Sequence, residues 1–137
     1  MQVQTLADQL FFTTSYIEAR SGSRSWVGTG FIYAVETNAG TAHFLVTNKH
    51  VLDTAESVTV RMIKQETSGG PSPGNSTQIT IQSFGNSSWI GHPDPSVDVG
   101  VMAFGPVLNA MQNMGAPAFF RSASPRTVSL HGSRTRA

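Results

Sequence analysis

From residue 11 to residue 104 the chain alternates between short runs rich in β-branched and aromatic residues and clusters of Gly, Pro, Asn, Ser and Asp. The apolar runs are residues 11–18 (FFTTSYIE), 26–35, 41–47 (TAHFLVT), 57–63 (SVTVRMI), 77–84 (TQITIQSF) and 97–104 (VDVGVMAF). Each is the length of a strand, and several alternate with period two. Turn signals separate them: 20–25, 36–40 (ETNAG), a long polar stretch at 66–76 (ETSGGPSPGNS) expected to be an exposed, mobile loop, and the two-proline segment 91–96 (GHPDPS). Residues 4–10 read as a short helical turn, and 48–53 (NKHVLD) as another. Val107, Leu108, Met111 and Met114 fall at helical spacing. Six strands without intervening helices predict an all-β fold, either a closed six-stranded antiparallel barrel or a sandwich.

Composition agrees. The chain has 137 residues, room for one domain. Only 12% are charged, about half the usual share, and 13 glycines and seven prolines favour turns over helices. A net charge of +1 argues against a nucleic-acid protein, which would present a dense basic face. With no cysteine, disulfides and thiolate metal sites are excluded. No basic head precedes an apolar run at the N-terminus, and no stretch approaches a membrane span of about 20 apolar residues. The expectation is a soluble cytoplasmic protein with no membrane partner and no cofactor. Residues 121–137 lose the alternation and hold basic residues without acids. They read either as a disordered terminus or as a truncated or frame-shifted gene end.

Three local features carry chemistry. In FLVTNKHV (44–51) an apolar strand ends in polar residues, and His50 follows at the turn. A rigid strand with a turn at its end is the mount a general base needs, although a single histidine there also suits an ordinary surface position. In VDVGVM (97–102), Asp98 opens an apolar run. It either caps the GHPDPS turn or pairs with an imidazole N–H, fixing the tautomer. Gly28 and Gly30, in GTGF, fit a strand that another backbone approaches closely, or a simple bulge. His43, His50, His92, Asp94 and Asp98 include metal-ligand types but lack a tight ligand spacing, so no metal site is assigned. His43 is read as exposed or facing away from its strand's buried side, and His92 and Asp94 as solvated.

Taken in order, GTGF, LVTNKHV and HPDPSVDVGVM resemble the trypsin-like serine peptidases, in particular the bacterial trypsin-like peptidase domains that lack disulfides. Thr47 to Val51 match the family's Thr-x-x-His-Val segment, and Asp98 to Val101 match its Asp-[apolar]-[small]-[apolar] strand. The resemblance covers about residues 10–110. It implies two six-stranded barrels with a cleft between them, His50 and Asp98 as catalytic residues from the first barrel, and a serine, oxyanion hole and specificity pocket from the second. Residues 1–110 would form the first barrel, and 111–137 a crossover and irregular tail. The chain departs from the pattern in having no Gly-x-Ser-Gly. Ser133 is the nearest imitation and lacks the following glycine. The expectation is therefore a serine-endopeptidase-like chain that is inactive alone. A peptide or protein would be the substrate of the complete enzyme, and the bared inter-barrel face would invite self-association. The rival reading is a non-enzymatic β-barrel module that binds a protein partner.

Overall fold

A computed structural model describes residues 14–120 and 122–124. Its strands are β1 (Thr14–Ser21), β2 (Arg24–Thr37), β3 (Gly40–Thr47), β4 (Ser57–Gln65), β5 (Pro71–Ile81), β6 (Ile90–Gly91), β7 (Gly100–Ala103) and β8 (Ser122–Ala123). Two helices interrupt them: the single turn α1 (Lys49–Leu52) and α2 (Gly105–Asn113). The fold is all-β and mostly antiparallel. One eight-stranded sheet runs β5-β4-β1-β2-β3-β7-β6, and β8 adds to β2 in parallel.

Each of the six apolar runs contributes a strand among the described residues, but the sheet is open where a closed six-stranded barrel was expected: β5 and β6 end the order without pairing to each other. After β5 the chain leaves the sheet, where the Phe84 N–H bonds Glu56 O, and passes through a 3₁₀ turn at Asn86–Ser88 before the two-residue β6. The sheet is nonetheless strongly curled. Helix α2 packs against both β3 and β5, which lie four strand spacings apart, about 19 Å on a flat sheet. The segment after α2 closes over the same side. Gln65 N–H bonds Pro117 O, Phe119 N–H bonds Ile63 O, and β8 joins β2. Residues 116–120 and 122–123, expected to be irregular tail, are thus strapped to the sheet. The expected helix at 4–10 and the tail beyond 124 lie outside the described residues.

Period-two alternation sorts the side chains. Ile17 and Ala19 of β1, Ile32 of β2, Leu45 of β3, Val58, Val60 and Met62 of β4, and Met102 of β7 face one core, joined there by Val51, Leu52, Phe104 and Met111. The opposite parity makes a second row. Phe31, Val46, Val101 and Ile90 are direct cross-strand neighbours, and Phe31 and Ile90 are exposed.

Two expectations from the turn clusters are corrected. The stretch 66–76 is not one exposed loop: β5 starts at Pro71, which is fully buried. Its Gly, Pro and Ser content hid the strand. A proline is tolerated there because β5 pairs on one side only, with β4. A bulge at Ile63/Lys64, where the partner jumps from Ser76 to Ser72, absorbs the excess chain. The run 97–104 forms strand only over Gly100–Ala103, because the groups of Asp98 are bonded elsewhere.

β2 is the scaffold of the site. Its first half pairs with β1 and its second half with β3, with Phe31 in both registers. Just before that switch, a Cβ on Gly30 would sit 2.7 Å from the Val46 carbonyl oxygen and 3.1 Å from Leu45 Cδ1, and one on Gly28 would sit 2.5 Å from Val51 Cγ2. The two glycines therefore let β3 and α1 close onto β2. Gly30→Ala is expected to lower stability by about 1–3 kcal/mol, since the obstacle is backbone rather than a side chain that can swing away. Urea unfolding would read this as a lower midpoint at unchanged slope. An unaltered midpoint would contradict the close approach.

Candidate active site

The site lies where β3 ends. Thr47, buried at the last strand position, donates its hydroxyl to Thr29 O at 2.7 Å. The next residues turn into α1, whose Val51 and Leu52 are buried. The Trp26 indole N–H bonds Val51 O at 3.0 Å. One strand end, one tryptophan and two glycine gaps thus fix a helical turn that holds His50 outward, its side chain 69% exposed.

Asp98 arrives from the other side. The loop after β6 carries its own Asx turn, in which Asp94 Oδ1 accepts from the N–H and hydroxyl of Ser96. These bonds hold the Asp94 carboxyl below the usual carboxylate range. The turn is therefore capped by Asp94, which leaves Asp98 free for another role. Asp98 Oδ2 lies 2.5 Å from His50 Nδ1, and Oδ1 accepts the His50 backbone N–H at 3.1 Å. The bond from the His50 ring is the main cause that keeps the Asp98 carboxyl below its ordinary value; desolvation opposes it, and the bond from the His50 backbone adds a smaller lowering.

The arrangement has a chemical consequence. An ionised carboxylate can only accept, so the Nδ1 that faces it carries the proton, and in the neutral ring Nε2 keeps its lone pair. Among the described residues, Nε2 has no hydrogen-bond partner. His50 borders a cleft of about 400 Å³ that is also lined by Arg24, Ser25, Trp26, Val27, Asp53 and Thr54. Two hydroxyls, Ser25 and Thr54, border this cleft, yet neither bonds the ring. Thr54 sits at φ +64°, an uncommon conformation for a β-branched residue, where the chain swings from α1 towards β4.

The structure brings His50 and Asp98 together and keeps the other ligand-type residues apart. His43 is half-buried, edge-on to Phe120 with ring centroids 5.7 Å apart, and not exposed or turned away: it shares the parity of buried Leu45. His92 is exposed and its Nδ1 accepts the Asp94 N–H. Among the described residues no three metal-ligating side chains gather, and no helix is long and apolar enough to cross a membrane. Ser133 lies outside the described residues. Sequence reasoning missed Asn48 and Lys49, whose side chains grip the Asp98 loop: Asn48 Nδ2 bonds Asp98 O at 2.9 Å and Lys49 Nζ bonds Asp94 O at 3.0 Å. The available signal was an asparagine directly before a helical turn, a capping type of residue.

The lowered Asp98 carboxyl gives the pair a pH dependence of known sign. A depressed folded-state value adds stability above the unfolded value of about 3.9, and that contribution disappears as pH falls through the folded one. In an acid titration followed by NMR, the Asp98 carboxyl carbon is expected to keep the shift of an ionised group at pH 5 and to move only below about pH 3.9. Movement complete by pH 5 would contradict an ionised, bonded Asp98.

No family model matches the chain, and comparison with curated proteins and with solved structures finds no match to it.

Proposed function

We propose that this chain is the histidine- and aspartate-bearing half of a trypsin-like serine peptidase, a first-barrel unit that hydrolyses peptide bonds only when a nucleophilic serine is supplied from elsewhere. The observation that carries the reading is the Asp98–His50 pair at 2.5 Å, with Nε2 unbonded among the described residues and His50 at the border of a cleft. A general base of the Ser-His-Asp type needs a carboxylate on Nδ1 and an unengaged Nε2 aimed where a hydroxyl can arrive. His50 would remove the serine proton and return it to the leaving amine, while Asp98 orients the ring. The order of the long strands, β4-β1-β2-β3-β7 with β5 beyond β4, is compatible with a six-stranded barrel left unclosed. The outward row Phe31–Val46–Val101–Ile90 gives a second domain, or a second copy, an apolar face to cover.

That exposed row also favours a second reading, a β-sheet module that binds a protein partner and in which the His–Asp pair is a remnant. The coding sequence 3′ of codon 120, translated in all three frames, separates the two. A downstream Gly-x-Ser-Gly product that is labelled by a fluorophosphonate when co-expressed with this chain, but not with its His50→Ala variant, supports the peptidase. Absence of the motif in every frame favours the module.

A further inference from the structure

Asp98 precedes β7, so no sheet pairing fixes its backbone. Its loop has internal order, from the Asp94–Ser96 turn and the His92 N–H bond to Val99 O, but internal order does not set its distance from His50. That distance depends on three consecutive residues of one turn. Asn48 Nδ2 donates to Asp98 O, Lys49 Nζ donates to Asp94 O, and the His50 N–H donates to Asp98 Oδ1. Asn48 stands at the N-cap of α1, where an asparagine side chain usually accepts a backbone N–H of the first turn. Here it makes no such bond. The His50 N–H that a capping side chain could satisfy goes to Asp98 instead. The two residues have exchanged tasks: Asp98 caps the turn, and Asn48 uses its amide donor to hold the Asp98 main chain.

We infer that Asn48 is a positioning residue of the proposed catalytic pair, one that locks the Asp98 backbone so that its carboxylate meets both the ring and the main chain of His50. The inference rests on the peptidase reading above and adds a member to the site. The geometry asks for a donor at position 48. Alanine removes it, and aspartate removes it at constant shape while keeping a side chain able to cap α1. Lys49 holds the loop one turn away, at Asp94, and leaves the Asp98 carbonyl to Asn48.

The experiment is proton NMR of the full chain, comparing wild type with Asn48→Ala and Asn48→Asp. The readouts are the low-field His50 Nδ1–H signal, the Asp98 carboxyl titration, and the methyl shifts of Leu45 and Met102 as a check on the sheet. Titratable neighbours of Asp98 are His50, Lys49 and Asp94, so Asp94 is followed as a control. In both variants the low-field signal is expected to be lost through exchange and the Asp98 titration to move up towards the ordinary carboxylate value. The methyl shifts and the Asp94 titration should stay in place. A low-field signal and Asp98 titration unchanged in Asn48→Asp would overturn the assignment. So would methyl shifts lost in both variants, which would mark Asn48 as a general support of the fold. A wild-type chain with no low-field signal, and an Asp98 that titrates normally, would instead remove the His50–Asp98 pair, and with it the peptidase reading itself.

Discussion

Asp98→Asn is expected to leave the sheet intact and to move the ring proton of His50 from Nδ1 to Nε2. The carboxylate at 2.5 Å from Nδ1 is what holds the proton there. An amide can turn its NH₂ to the ring, and Nδ1 must then accept. Nε2 becomes N–H and can no longer take a proton from a hydroxyl. Nitrogen-15 NMR of the ring distinguishes the tautomers directly. In the peptidase proposed above, supplied with its nucleophilic serine, the same change should reduce hydrolysis on the order of 10⁴-fold, with substrate binding little altered. A variant that keeps the Nδ1–H tautomer would show that the ring is oriented by something other than Asp98. A tautomer switch with full retention of fluorophosphonate labelling would show that the ring is not the base.

The second large effect concerns the base of the barrel-like curl. Phe104→Ala is expected to lower stability by about 3–5 kcal/mol. Phe104 is fully buried, lies between β7 and α2, bonds His43 O through its own N–H, and accepts from the Leu108 N–H. Removing its ring opens a void in the core cluster that Phe104 shares with Leu45, Met102 and Met111. A marginally stable domain of this size would be partly unfolded, and circular dichroism against urea would show it. A loss below about 1 kcal/mol would mean that the methionines flow into the space, which their flexible side chains permit.

Strand placement was legible because a half-buried strand must alternate. Ile17 and Ala19, Val58 and Val60, and Leu45 and Thr47 all fall on the buried parity, and one-dimensional spacing carries that information. The helical spacing of Val107, Leu108 and Met111 was equally readable, and it became α2. What failed was closure and small pairings. β6 and β8 are two residues long, too short for any period, and β5 hides behind Pro71, Ser72 and Gly74. The sequence placed His50 and Asp98 at turn and strand ends, but only their resemblance to a family motif coupled them. The two are 48 positions apart in sequence, and no local rule connects positions so far apart. The bonds of Asn48 and Lys49 were invisible for a related reason: their partners are main-chain carbonyls, which every residue possesses.

The register that joins β3 to β7, with Thr47 opposite Gly100, also sets the order of events when the chain folds. The hairpins β1–β2 and β2–β3 close across two residues each, whereas the β3–β7 contact must close a loop of roughly fifty. Chain entropy charges about 3 kcal/mol more for that closure, and contacts of this range form slowly. His50 and Asp98 flank this long-range ladder, one just after β3 and one just before β7. The pair therefore arises only once β7 has joined β3, later than the two hairpins, so a chain with only its hairpins formed carries no primed base, and the low-field ring proton reports the closure of β7 onto β3.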